Sequence, residues 1–110
     1  MNQQALIVWV SHPVTNAKEL AQRLVEKRLA ACAQVLPPMT SIYHWQGQIQ
    51  QDEECLILLK TLSSRWEELC TFITQHHPYS VPEIIAVESV KVLESYFQWL
   101  QFEMEGEAST

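Results

Sequence analysis

Apolar residues recur along this chain in two rhythms. One is the continuous run of strand length. "ALIVWVS" (Ala5–Ser11) is short, apolar and rich in β-formers, so it predicts a strand. "AACAQVL" (Ala30–Leu36) opens a second strand, and "MTSIYHW" (Met39–Trp45) resumes it. Pro37 and Pro38 interrupt that strand, because neither can donate to a ladder. They predict an edge, a bulge or a bend. Gln46–Gly47 reads as a tight turn, with Gly47 free to take a positive φ. "QIQQDEECLILLKT" (Gln48–Thr61) returns as a long third strand, giving a hairpin polar at its tip and apolar at its base. "EIIAVES" (Glu83–Ser89) is the fourth.

The other rhythm is helical. Ala17, Leu20, Ala21, Leu24, Val25 and Leu29 fall on one stripe, with Lys18, Glu19, Arg23, Glu26 and Lys27 facing away. They predict an amphipathic helix over Asn16–Leu29, opened by an Asn16/Glu19 capping box. Trp66, Leu69, Cys70 and Ile73 predict a second helix that ends near His76, with Ser64 and Glu67 as its box. Leu93, Tyr96, Phe97, Leu100 and Met104 predict a third.

The order is β-α-β-β-α-β-α. Its first six elements are the split βαβ, or ferredoxin-like, arrangement: an α+β fold with an antiparallel sheet and two main helices on one face. One domain spans residues 1–110, with Glu105–Thr110 expected to fray. The runs "ALIVWV", "CLILL" and "IIAV" lack the alternation of a sheet with one wet face. Two helices cover only one side, and the short third helix is all that remains for the other. The economical cover is a second copy of the chain, so a homo-oligomer is expected.

Charge and cysteine content narrow the partners. Seven Lys+Arg stand against thirteen Asp+Glu, for a net charge of −6. Nucleic acids and anionic membranes need a basic surface, so neither is an expected partner. Cys32, Cys55 and Cys70 are odd in number and form no CxxC pair, which suits a reducing compartment. The opening segment has no basic region and no small-residue cleavage site, so no signal peptide is expected there, and a cytoplasmic location is the expectation. Two glycines allow no phosphate-binding loop. No nucleophile or zinc motif appears, so an enzyme is not expected.

The chemistry concentrates in "QHHPYSVPEI" (Gln75–Ile84). A histidine in a last helical turn suits the helix dipole, and Pro78 forces His77 out of the helix. Alternatively, His76 and His77 hold a metal once the chain has left the helix, or His77 moves protons. Cys32, Cys55, Cys70 and Met39 are soft atoms that copper could use, though no two cysteines stand at a ligand spacing. Lys60 ends an apolar strand, so its charge needs a partner.

Four stretches together carry a family resemblance: "EKRLAACAQVLP", "TSIYHWQGQIQQDEECLILLKT", "HHPYSVPEI" and "YFQWL". In order and spacing they resemble the CutA family, named for divalent-cation tolerance, over about Ala5–Leu100. Tyr43-x-Trp45-x-Gly47 and His77-x-Tyr79-x-x-Pro82 are the most specific matches. The resemblance implies a ferredoxin-like subunit in a homotrimer, similar in architecture to the PII signalling proteins. It implies a role in divalent metal tolerance, with copper or another divalent cation held weakly at His76 and His77. It also implies that Tyr43, Trp45, Glu54, Lys60, His77, Tyr79 and Tyr96 gather near an inter-subunit cleft, the basis of an alternative reading as a small-ligand-binding trimer. With His77 counted as a metal candidate and Glu83 added from the double-proline connector, the ligand-binding candidates are Tyr43, Trp45, Glu54, Lys60, Tyr79, Glu83 and Tyr96. Some members add a copper-binding cysteine at the end of the first strand. Trp9-Val10 stands about there, with His12 as the nearby substitute. Pro37-Pro38 also departs from the family's usual Pro-Gly.

Overall fold

The computed structural model describes residues 3–105, so most of the expected frayed tail lies outside the described residues. Its elements are β1 (Ala5–Pro13), α1 (Ala17–Glu26), β2 (Cys32–Val35), β3 (Met39–Trp45), β4 (Gln48–Leu62), α2 (Trp66–His76), β5 (Ile84–Glu88) and α3 (Glu94–Met104). A single 3-10 turn, Ser63–Arg65, leads into α2. The sheet is antiparallel, with strand order β2-β4-β1-β5 and β3 paired to β4. This is the predicted α+β arrangement, with the expected second strand divided in two.

The division falls at the prolines. Val35 pairs Ile57 and Met39 pairs Glu54, so Leu36, Pro37 and Pro38 face only Cys55 and Leu56. Three residues opposite two make a bulge, the device expected where a strand cannot donate. Beyond it β4 outruns the rest of the sheet. Its pairing with β1 ends at Pro13↔Glu54, and Gln48–Glu53 pair with β3 alone. The hairpin closes through Gln46 (φ 51) and Gly47 (φ 80), both left-handed as a two-residue turn requires.

The register sorts the side chains. Leu6, Val8, Val10, Ile57 and Leu59 face the helices and form the core with Leu20, Leu24, Leu69 and Ile73. On the opposite face lie Ile7, Trp9, Leu56, Leu58, Lys60, Ile85 and Val87. α3 packs Leu100 and Met104 against Ala5 and Leu62, at one end of that face. The rest is open: Ile85 is 54% and Val87 52% exposed.

Neither predicted capping box forms. Asn16 takes φ 70 and makes no side-chain cap bond; the small polar residue serves the left-handed entry to α1 instead. The cap of α2 is Arg65, because Ser63 and Ser64 are absorbed into the 3-10 turn. α1 also ends three residues before the expected Leu29. Arg28 N–H donates to Val25 O and Leu29 N–H to Leu24 O, a Schellman stop with Arg28 at φ 55. Val25, placed on the buried stripe by its spacing, is exposed at the stripe's edge, and so is Leu93 at the start of α3.

Candidate ligand-binding cleft

At the hairpin end of the open face lies a cleft of about 560 Å³, lined by residues that include Ser41, Tyr43, Trp45, Glu54, Tyr79 and Glu83. Alternation on β3 sets Ser41, Tyr43 and Trp45 on one face, and β4 presents Asp52 and Glu54 likewise. The third wall is the connector between α2 and β5. His77 leaves the helix at φ −87, ψ 140, as expected before Pro78, and the chain then carries Tyr79, Ser80, Val81 and Glu83 across the cleft.

Glu54 is buried (4% exposed), and its Oε2 accepts a 2.8 Å hydrogen bond from the Tyr79 hydroxyl. The Tyr43 hydroxyl donates to Asp52. Burial, then the bond to Glu54, holds the Tyr79 phenol well above its ordinary pKa. Tyr43 is raised first by its bond to Asp52. Both phenols therefore stay protonated, with their protons committed to carboxylates.

His77 sits behind this wall, 8% exposed. Its Nε2 is 2.7 Å from Ser11 O, and a carbonyl can only accept, so Nε2 carries the proton. Its Nδ1 accepts the Tyr79 backbone N–H at 3.1 Å. Both nitrogens are used and the neutral tautomer is fixed. Burial lowers the His77 pKa, opposed by the bond to Ser11. The His12 ring stands edge-on to it, with centroids 4.8 Å apart, and its Nδ1 donates to Pro13 O.

His76 is exposed. Its Nδ1 donates to Phe72 O at 2.8 Å, and its ring stacks on Phe72. Its Nε2 is the only ring nitrogen of the pair left for a metal. His77 would have to break a hydrogen bond to ligate, and no group of three His, Cys, Asp or Glu able to hold a metal occurs among the described residues. The donor set as folded does not fit a chelated ion.

Five of the seven residues singled out for ligand binding thus meet in one cleft within a single chain. Lys60 and Tyr96 do not join them. Lys60 lies six residues along β4 from Glu54, about 20 Å away at 3.3 Å per residue. Its Nζ donates to Gln34 Oε1. The Tyr96 phenol is raised mainly by burial and also by Cys32, the residue opposite Lys60 in the register. Ser11, Ser41 and Asp52 went unnoticed in the sequence. Asp52 was legible in principle, since it pairs with Ser41 and lies diagonal to Tyr43.

A fold of this order, with such a cleft beside an open sheet face, defines a small ferredoxin-like module. A family model described as the CutA1 divalent ion tolerance protein matches residues 6–103. The chain belongs to that family. The divalent-cation tolerance protein CutA of Thermus thermophilus is 41% identical over 101 residues, covering 92% of this chain and 96% of that one. Human protein CutA is 46% identical over 85 residues; they make up 77% of this chain but 48% of the human protein, so the match spans about half its length. Among solved structures, the periplasmic divalent cation tolerance protein CutA of Archaeoglobus fulgidus superimposes with a TM-score of 0.88 at 28% identity, covering 92% of this chain and 99% of that one. The Thermus and Archaeoglobus names speak of tolerance to divalent cations, and none of the three names a reaction. No described helix is long and apolar enough to cross a membrane.

Proposed function

We propose that this chain works as a homotrimeric small-ligand-binding protein in divalent-cation tolerance, with the Tyr43–Trp45–Glu54–Tyr79–Glu83 cleft as its binding site. The observation that carries this reading is the cleft itself. A pocket of this size, with aromatic walls and a few convergent polar groups, suits a small molecule. Oligomerisation follows from the open sheet face, which a monomer would leave as a contiguous apolar patch. Ser11 and Glu54 continue the rows of that face, so a neighbour seated on it would border the cleft. The role in cation tolerance comes from the relatives' names, and the cytoplasm from three unpaired cysteines. Copper or another divalent cation at His76 and His77 is the less favoured reading, since His76 Nε2 alone offers a free lone pair. Calorimetric titration with Cu²⁺ decides between them. The cleft reading expects at most millimolar affinity; micromolar binding lost in His76→Ala would overturn it in favour of the metal.

A further inference from the structure

The charge of the cleft specifies its ligand further than its shape does. Among the described residues of one chain, its only charged lining residues are Glu54 and Glu83; no lysine, arginine or histidine of that set lines it. Glu54 is the telling one. Nine-tenths or more of it is buried, and Oε2 is taken by Tyr79. Oε1 has no hydrogen-bond partner, yet no buried side-chain polar atom is left unsatisfied among the described residues. That oxygen therefore keeps some accessible surface, and Glu54 lines the cleft. A carboxylate so far removed from water is costly unless something neutralises it.

The phenols point the same way. Tyr79 and Tyr43 donate their hydroxyl hydrogens to Glu54 and Asp52 in hydrogen bonds, so what they offer a ligand is acceptor lone pairs. The floor of the cleft is thus rich in acceptors and negative charge. A group with several donors, no acceptor and a positive charge matches it, which describes a primary ammonium. A bare metal ion matches less well, because no three His, Cys, Asp or Glu side chains among the described residues converge to hold one. The indole of Trp45 supplies an electron-rich face for the cation, while Ile42 and Val81 supply apolar wall.

We propose that the cleft binds a small organic amine as its ammonium ion, with the charged nitrogen on Glu54 Oε1 and the Tyr79 hydroxyl oxygen. The hydrocarbon body lies against Ile42, Trp45 and Val81, and Glu83 at the exposed rim favours a second cationic centre. This rests on the cleft being the binding site, as proposed above.

The test uses the full chain in its native assembly and three probes of one shape: butylammonium, butanol and butyrate. Binding is read from chemical-shift changes of the Tyr79, Ser80 and Glu83 amides. Butylammonium is expected to move them saturably, at least tenfold more tightly than butanol, with butyrate inactive. Glu54→Gln should weaken butylammonium tenfold or more and leave butanol unchanged. Glu83→Gln, an exposed change that leaves the fold alone, should weaken 1,4-diaminobutane more than butylammonium. Binding of butyrate, or of butanol as tightly as the ammonium, would overturn the charge assignment and leave the cleft reading intact. No probe moving any cleft amide would overturn both. Displacement of the ammonium by micromolar Cu²⁺ or Zn²⁺ would reassign the cleft to a metal.

Discussion

His77 shows how one side chain can join two walls of a site. Its ring ties the β1 carbonyl of Ser11 to the Tyr79 amide, and Tyr79 in turn holds Glu54. Burial and the neighbouring His12 disfavour the charged ring, while the Ser11 bond and Glu54 favour it; burial dominates and the folded pKa lies below the ordinary 6.5. The sign then follows from linkage. Below pH 6.5 the unfolded chain takes up a proton that the folded chain refuses, so stability falls as pH drops through the folded pKa. Urea unfolding of wild type and His77→Gln at one protein concentration checks this. The variant should be less stable by about 1–3 kcal/mol at pH 7 for its imperfect hydrogen bonds. Its stability should also depend less on pH below 6.5. Parallel pH profiles would mean that His77 does not carry the effect. Sequence alone showed that His77 leaves the helix, since Pro78 demands it. It did not show where the ring points, because Ser11 is 66 positions away. The metal reading arose from adjacency in sequence, whereas the fold gives the two rings opposite surroundings.

Elements were legible wherever periodicity was strong, and their ends were not. α1 stops at a left-handed arginine where glycine is the usual choice. An L-residue there costs about 1–2 kcal/mol. The structure shows what the arginine does in return: Arg28 Nη1 donates to Glu103 O at 2.7 Å and approaches Glu103 Oε1, tying down α3. Arg65 reaches Met104 O beside it. Arg28→Gly is therefore expected to leave α1 as stable or more so, and to loosen α3. Hydrogen exchange should show faster amides over Phe97–Met104 and unchanged ones over Leu20–Val25. Protection lost equally in both helices would mean that Arg28 supports the whole core. At the hairpin tip the opposite holds. Nothing lies within 4 Å of a Cβ built on Gly47, so Gly47→Ala meets only the backbone penalty of φ 80. A loss of about 1 kcal/mol is expected, with thermal denaturation as the measurement.

At the scale of the whole molecule the informative feature is unbroken hydrophobicity in strands that only one layer of helices covers. The sheet register turns that pattern into a surface: Val87, Ile7 and Lys60 form one row, Ile85, Trp9 and Leu58 the next. Lys60 sits in this surface with a neutral partner, Gln34, and no carboxylate within ion-pair distance among the described residues. A trimer that buries the face would make that ammonium seek a charge from a neighbour, which explains why Lys60 stands apart from the cleft within one chain. Ile85 gives the cleanest test, being half exposed on an edge strand where aspartate does not disturb the monomer's own core. Light scattering at micromolar concentration should return three times 12.7 kDa for the wild type and 12.7 kDa for Ile85→Asp, with unchanged far-UV circular dichroism. Val25→Asp, on the helix-covered side, should keep the trimer. A wild-type mass of one chain would end the proposal. A trimer that survives Ile85→Asp would move the interface away from the sheet, and with it the reason for placing a subunit boundary beside Glu54.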